Sequence, residues 1–190
     1  MTTRNMSSFM KFSQFHLEIG SGRLKDVLFF VHQIILGARN DRFCTTFLHP
    51  SRQAQLTMEC CRALLRQAFW DFIGRSVPIG STDTTFLAAH CGEEPVGGVL
   101  VRRMPANDGA VALLIDVVVV AAAWQRRGIG KRMLEEVLIK APSSAALYCA
   151  CTPYAESMMQ LLLRLGFRCV QASRVVNNAV TLNIFEKVPR

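Results

Sequence analysis

Residues 113–140, LLIDVVVVAAAWQRRGIGKRMLEEVLIK, contain the stretch that decides the fold. The valine-rich run 113–120 has the β-branched composition of a buried strand, and 132–140 carries the apolar spacing of one helical face. Between them stands Gln125-Arg126-Arg127-Gly128-Ile129-Gly130-Lys131. Glycines at alternate positions let the backbone turn without a Cβ and bring several N–H groups to one side. The partial positive charge of a helix N-terminus lies on that same side, so a strand, tight loop and helix in this order suit a diphosphate.

Spacing separates the nucleotide-binding loops that resemble such a run. A Walker loop needs lysine followed by Ser or Thr after a longer glycine spacing, whereas Lys131 follows Gly130 at once and Arg132 comes next. A dinucleotide fingerprint needs a third glycine where this chain has Met133, and it belongs near the start of a βαβ unit. What remains is Gln/Arg-x-x-Gly-x-Gly/Ala, met by Gln125, Gly128 and Gly130. Downstream, 145–151 reads as a short buried strand, 155–165 has a helical apolar stripe, and Leu165-Gly166-Phe167 ends it. Two β-rich runs, 167–173 and 180–187, flank Val176-Asn177-Asn178, a hairpin turn signal. In this loop and its flanks the chain resembles the GNAT N-acetyltransferases, over 82–187 by motif and over the first 80 residues by element order.

Composition bounds the rest. With 190 residues and 51% hydrophobic content the chain reads as one domain, 1–190, with a frayed, disordered start at 1–12. The most apolar segment, 27–36, is too short to span a bilayer and contains His32 and Gln33. Seven cysteines, Cys44, Cys60, Cys61, Cys91, Cys149, Cys151 and Cys169, lie mostly in apolar runs without zinc-ligand spacing. They read as reduced core thiols of a cytoplasmic protein, and no metal is expected. Arg4 and Lys11 before the first acid, Glu18, give only a weak mitochondrial signal. The net charge of +8 concentrates Arg126, Arg127, Lys131 and Arg132 at the glycine loop, which favours a phosphate-bearing small ligand. Two Trp and two Tyr provide no stacking platform for nucleic acid, so neither nucleic acid nor membrane is expected as partner. Oligomeric state is not readable.

Along the chain, 15–19 reads as a first strand and 23–36 as a helix ended by Gly37. A second helix presents Leu56, Cys60, Leu64, Ala68, Phe69, Phe72 and Ile73 as its face and stops at Gly74. Strands 85–90, 96–104 and 111–120 follow through two turn sequences, Gly92-Glu93-Glu94-Pro95 and Ala106-Asn107-Asp108-Gly109. The order predicts an α+β fold: a mixed, mostly antiparallel sheet with helices on both faces.

The resemblance implies more. Strand 111–120 would splay from strand 145–151, with acetyl-CoA, the co-substrate, in the gap. Backbone groups of Val118, Val119 and Val120 would meet pantetheine, and Gln125, Arg126, Arg127, Gly128, Ile129, Gly130 and Lys131 the pyrophosphate. The implied activity is acetyl transfer to a primary amine of a small molecule or protein. Asp116 is the one carboxylate in the strand that feeds the loop, and the two-residue spacing puts it on the face of Val118 if no bulge intervenes. Ile115-Asp116 is similar to the Ile-Glu of glucosamine-6-phosphate N-acetyltransferases, which suggests Asp116 as general base. Many family members have an Asn near the start of the last helix and a proton-donating Tyr four residues before Gly-Phe; here Ala155 and Leu162 stand there. Tyr154 and Ser157 are the substitutes at the mouth of that helix, Tyr154 as acid and Ser157 beside the cofactor. Tyr148 is expected in the sheet core and His90 as an ordinary core or surface histidine. The departures keep a second reading open, an acyl-CoA-binding regulatory module with little or no catalysis. The acceptor is not specified, because the region that would select it, 20–85, is the least patterned.

Overall fold

Three apolar runs joined in sequence by turns form the middle of the sheet, and the helices around them close its two faces. The computed structural model describes residues 16–73, 78–105, 111–172 and 182–189, with the backbone of 175–176 and 179–180. In chain order the elements are β1 (Leu17–Ser21), α1 (Leu24–Arg39), α2 (Pro50–Phe72), β2 (Thr84–Cys91), β3 (Glu94–Met104) and β4 (Ala112–Val120). They continue with α3 (Ile129–Lys140), β5 (Ala146–Cys151), α4 (Glu156–Arg164), β6 (Arg168–Gln171), β7 (Val175–Val176), β8 (Ala179–Val180) and β9 (Asn183–Lys187). Short 3-10 turns at Thr45–Leu48 and Ala122–Trp124 precede α2 and α3.

Seven strands form one sheet in the order β1-β2-β3-β4-β5-β9-β6, and β7 pairs with β8 separately. Only β4 and β5 run parallel; the other neighbouring pairs are antiparallel. This is the mixed α+β architecture that the element order predicts. One face is covered by α1 and α2, whose Val27, Phe30, Ile34, Leu56 and Cys60 pack with Phe86, Leu100, Val117 and Val119. The opposite face carries α3 and α4, where Met133, Leu134, Val137 and Leu162 meet Val99, Leu113, Ile115 and Phe185. Each fully buried Leu, Ile or Phe contributes roughly 1.5–3 kcal/mol by removal from water, so this double packing holds the sheet from both sides.

The turn sequence 106–109, the stop at Gly74 and the hairpin turn at 177–178 lie outside the described residues; other local expectations need correction. Helix α1 does not end at Gly37 but continues to Arg39. Gly37 is buried within it because the Phe43 ring folds back onto it and would overlap a Cβ. The helix is stopped instead by Asp41, which adopts φ 57° while its N–H bonds Ala38 O at 3.3 Å and the Arg42 N–H bonds Gly37 O at 2.9 Å. That pair of bonds satisfies carbonyls at the end of the helix, and aspartate tolerates the left-handed conformation better than most residues.

On α2 the expected apolar face is buried only in its first half: Leu56, Cys60 and Ala63 are buried, whereas Phe69, Phe72 and Ile73 are exposed. The helix outruns the sheet face it covers, so periodicity continues where packing does not. Tyr148 is not core either. It is half-buried on the α1/α2 side of the ladder and donates to Glu186 Oε1 at 2.8 Å, which raises its phenol above the usual range.

Gly37→Ala provides a test of this packing. Helix propensity alone favours alanine by up to ~1 kcal/mol, but the Phe43 overlap should reverse the sign and leave a net loss of about 1–3 kcal/mol. The midpoint of urea unfolding measures it, and an unchanged or raised midpoint would contradict the fold-back of Phe43.

Candidate functional site

Strand β4 changes partners along its length. Its parallel ladder with β5 runs from Ala112↔Ala146 to Ile115↔Cys149 and then stops. Beyond that point β4 continues to Val120 beside β3, while β5 continues to Cys151 beside β9. A seam therefore opens between two strands that are neighbours in the first half of β4. The cause sits at its start. On β3, Leu100 and Val101 are adjacent, yet they pair with Val117 and Ile115, so Asp116 is an extra residue in β4. Such a bulge bends the strand and increases its twist, turning the downstream half away from its former neighbour.

The bulge also changes which side chains share a face. Val117 and Val119 both pack against α1 and α2, and Val118 against α3 and α4. Asp116 does not share the face of Val118, because the intervening bulge shifts the alternation by one. It lies with Val117 toward α2, where its Oδ2 is 2.8 Å from Arg102 Nη2 and 4.0 Å from Arg52 Nη2.

Backbone direction follows from one bond: the Ala121 N–H donates to Val96 O at 2.9 Å. Alternation in an antiparallel pair then turns Val119 toward β3, opposite Gly98, and turns Val118 and Val120 toward the seam. Of the three valines expected to offer backbone groups, Val119 is thus committed to the β3 ladder. The Val120 carbonyl already has a partner, the Gln125 amide Nε2 at 3.0 Å.

After the Ala122–Trp124 turn the chain reaches Arg126 at φ 61° and Gly128 at φ 79°, the residue that caps α3. The helix ladder starts with the Arg132 N–H on Gly128 O at 3.0 Å, so the N–H groups of Ile129, Gly130 and Lys131 precede it. A Cβ on Gly128 would meet open space within 4 Å, and one on Gly130 only Leu161 and Val120 methyls at 3.8 Å. The first turn of α3 holds no acidic residue. Instead Lys131 and Arg132 stand at the positive end of the helix dipole behind Arg126 and Arg127, an arrangement that costs energy unless an anion is met there. Arg127 lies over the Trp124 ring at 4.8 Å and Lys131 pairs with Glu135 at 3.6 Å, while Ile129 is buried.

The loop after α1 ties the two lips of the seam together. Arg42 Nη1 donates to Gln125 Oε1 at 3.2 Å, on the β4 side. Thr152, just after β5, donates through Oγ1 to Arg42 O at 3.2 Å and Asp41 O at 3.4 Å. Neither Arg42 nor Thr152 carries a sequence signal; their partners are 83 and 110 residues away along the chain. Tyr154 is 65% exposed and Ser157 is exposed in the first turn of α4, while Leu162, further along the helix, is fully buried. Burial pushes the Cys60 thiol up to about 12, and the contact between Cys149 and Cys151 Sγ at 4.0 Å raises the first thiol of that pair and lowers the second.

His90 is buried against Asp26, with Nε2 3.0 Å from Oδ1, and Asp26 Oδ2 in turn accepts the Arg23 N–H at the start of α1. It braces a helix start. Glu93 is fully exposed beside Arg23 and Lys25, which hold its carboxyl below the usual range, the Lys25 hydrogen bond foremost. A shallow cleft of about 260 Å³ lies between β1 and α3, lined by Leu17, Ile19, Arg132 and Glu135. It opens three strands from the seam, on the far side of α3. Among the described residues no group of three or more His, Cys, Asp or Glu is placed to hold a metal, and no helix is long and apolar enough to cross a membrane.

The sequence profile of the acetyltransferase (GNAT) family matches residues 49–167. No curated protein matches the chain in sequence. Solved structures share the fold at low identity. A GNAT-family acetyltransferase from Streptococcus pneumoniae superposes with TM-score 0.62 at 16% identity, covering 92% of this chain and 99% of that one. The PaiA N-acetyltransferase from Thermoplasma acidophilum, in complex with coenzyme A, gives 0.58 at 12%, covering 90% and 98%. Arabidopsis thaliana Naa50, bound to the bisubstrate analogue CoA-Ac-MVNAL, gives 0.57 at 17%, covering 90% and 97%.

The loop geometry makes two glycines respond differently to the same change. Gly128→Ala should lose about 1–2 kcal/mol, because a Cβ in the left-handed region is strained whatever the space around it. Gly130→Ala should be neutral or stabilising by up to ~1 kcal/mol, its Cβ having room in a helical turn. Denaturant midpoints compare them; equal effects would contradict the cap at Gly128.

Proposed function

The chain belongs to the acetyltransferase (GNAT) family, and on that premise we propose that it transfers the acetyl group of acetyl-CoA to a primary amine, of a small molecule or a protein, by direct attack. The observation that carries this reading is the termination of the β4–β5 ladder at Ile115 and Cys149 while β4 runs on into a cationic helix start. An unladdered strand edge buried in a protein needs polar partners. The pantetheine arm of acetyl-CoA has amides to supply them at Val118 and Val120, and its pyrophosphate suits the N–H groups of Ile129, Gly130 and Lys131. The coenzyme A and bisubstrate complexes of the Thermoplasma and Arabidopsis proteins support the same choice of co-substrate.

Direct attack requires a neutral amine, and an amine of pKa near 10.4 is only about 0.04% neutral at pH 7, a deficit of roughly 4.6 kcal/mol. Asp116 is the base in this reading. Both of its ion contacts use Oδ2, which leaves Oδ1 for the acceptor's proton. As the nitrogen attacks, the thioester carbonyl oxygen gains charge, and a seam-facing N–H of Val118 or Val120 is the donor for it. The departing thiolate, with a thiol pKa near 8.5, takes a proton from Tyr154 or from water. Gln125 yields the Val120 carbonyl when pantetheine arrives, Ser157 stands beside the cofactor at the start of α4, and Arg126, Arg127 and Lys131 supply field to the phosphates.

Two observations favour a second reading, an acyl-CoA-binding regulatory module of weak or absent catalysis. Asp116 is held by arginine, and the position of the family's acid is the buried Leu162.

Release of free thiol from acetyl-CoA, measured over a panel of amines, amino sugars and peptides, separates the two. An enzyme releases CoA with at least one acceptor; a module is stabilised against heat by acetyl-CoA and releases none. With an active acceptor, Asp116→Asn should lower turnover mostly at low pH, where the unassisted neutral amine is scarcest, and the difference should shrink toward alkaline pH. A pH profile parallel to that of the unaltered protein would remove Asp116 as base.

A further inference from the structure

The outward side of α2 carries a second apolar stripe, opposite the one that packs on the sheet. Ala54, Met58, Cys61, Leu65, Ala68 and Phe72 follow one another at alternating intervals of four and three residues, the repeat by which one helix seats against another. The core residues Leu56, Cys60 and Ala63 lie on the other side of the helix. Met58, Leu65 and Phe72 are 46%, 72% and 89% exposed, and Phe69 at the edge of the stripe is 60% exposed. None of the six positions is charged, and large and small side chains alternate: Ala54, Cys61 and Ala68 stand between and before Met58, Leu65 and Phe72. Soluble monomers rarely leave such a patch bare.

We propose that this stripe is the contact by which two copies of the chain associate, with α2 packed antiparallel on α2 about a two-fold axis level with Ala63. The proposal is independent of the catalytic reading. In that arrangement every large residue meets a small one: Leu65 lies opposite Cys61 of the second copy, Met58 opposite Ala68, and Phe72 opposite Ala54. The layers fill alike, and the two-fold repeats each contact, so the assembly closes at two copies. Parallel packing would instead stack Phe72 on Phe72 and Ala54 on Ala54, setting overfilled layers beside empty ones. Sliding the antiparallel pair by one repeat keeps the alternation but strands two of the six positions. An unrelated helix would not require a stripe that matches its own reverse, and this self-match singles out a second copy as the occupant. The area suffices as well. At roughly 150–200 Å² for a side chain of this size, Met58, Leu65, Phe69 and Phe72 leave about 450 Å² of apolar surface per copy, and two copies approach the ~1,000 Å² at which specific interfaces begin. Arg62, exposed beside the stripe, would meet its own copy across the axis, a repulsion in water that salt screens.

Sedimentation velocity over a concentration series provides the test. The unaltered chain should pass from monomer to dimer, and added salt should favour the dimer. Leu65→Asp should raise the dissociation constant about thirtyfold or more. Leu65 is largely exposed in a single copy, so its replacement should leave the circular dichroism spectrum of the monomer unchanged. If that variant does not fold, Phe72→Asp, beyond the edge of the sheet, takes its place. Mixing reads the register. Met58→Glu and Ala68→Lys should each weaken self-association, and an equimolar mixture of the two proteins should recover the dimer, because the new acid and base face one another only in the antiparallel register described. A chain that stays monomeric at every concentration, as it would with another segment of the chain or a different protein on the stripe, overturns the proposal. A dimer that Leu65→Asp leaves unchanged, or a mixture no tighter than its components, overturns it equally.

Discussion

A single extra residue in β4 governs the site. Parallel strands are held by evenly spaced hydrogen bonds, and nothing in the valine run itself would end them. At Asp116 the pairing with β3 slips by one, and from there β4 follows β3 while β5 follows β9. The sheet core tolerates the split because each strand keeps a full partner on its outer side and because α1, α2, α3 and α4 still cover the faces. What is left unpaired is confined to the inner edges, where Val118 and Val120 present their peptide groups. Gln125 takes one of these carbonyls, so the seam is partly satisfied by a side chain.

The same strand then delivers the chain into an electrostatic conflict. Helices favour acids in their first turn, but α3 opens with Lys131 and Arg132 behind Arg126 and Arg127, and no acid stands among its first residues. Arg127 on the Trp124 ring and Lys131 on Glu135 relieve part of this. Surface contacts of that kind contribute little, and an anion is the group that a helix start of this charge favours. Seam and helix start are adjacent because only eight residues separate Val120 from Ile129, which places the open strand edge and the N–H groups of the helix start on one continuous path.

Much of this was legible in residues that act locally. The valine run, the glycine spacing and the helical stripe behind it specify a strand, a loop and a helix through backbone chemistry that needs no distant partner. Fold class followed from the order of such units. The misses share a different physics. Gly37 has the look of a helix stop, but Phe43 uses its missing Cβ instead. The stripe on α2 continues past the sheet edge that could cover it, so Phe69 and Phe72 are apolar in pattern and exposed in space. Arg42 and Thr152 join the seam through hydrogen bonds across more than eighty residues. The face of Asp116 depended on a bulge, and a bulge is a property of two strands in register, not of one.

That dependence joins the opening of the seam to the placement of the carboxylate. Leu113 and Ile115 face α3 and α4, so alternation in the first half of β4 carries Asp116 to the α1/α2 face, and the extra residue reverses the phase for the valines beyond it. There Asp116 stands against Arg102 and Arg52, with Glu59 on the same arginine, so the charge is met where the strand turns away. An ion pair at that depth is poor evidence of stability, since its Coulomb gain is largely offset by the loss of hydration. Its alignment is also incomplete, with the buried oxygens of Glu59 and Asp116 off the N–H directions of Arg102. A packed apolar residue at 116 would hold the sheet at least as well. The bulge therefore coincides with a charged, incompletely bonded carboxylate at the point where the two strands part.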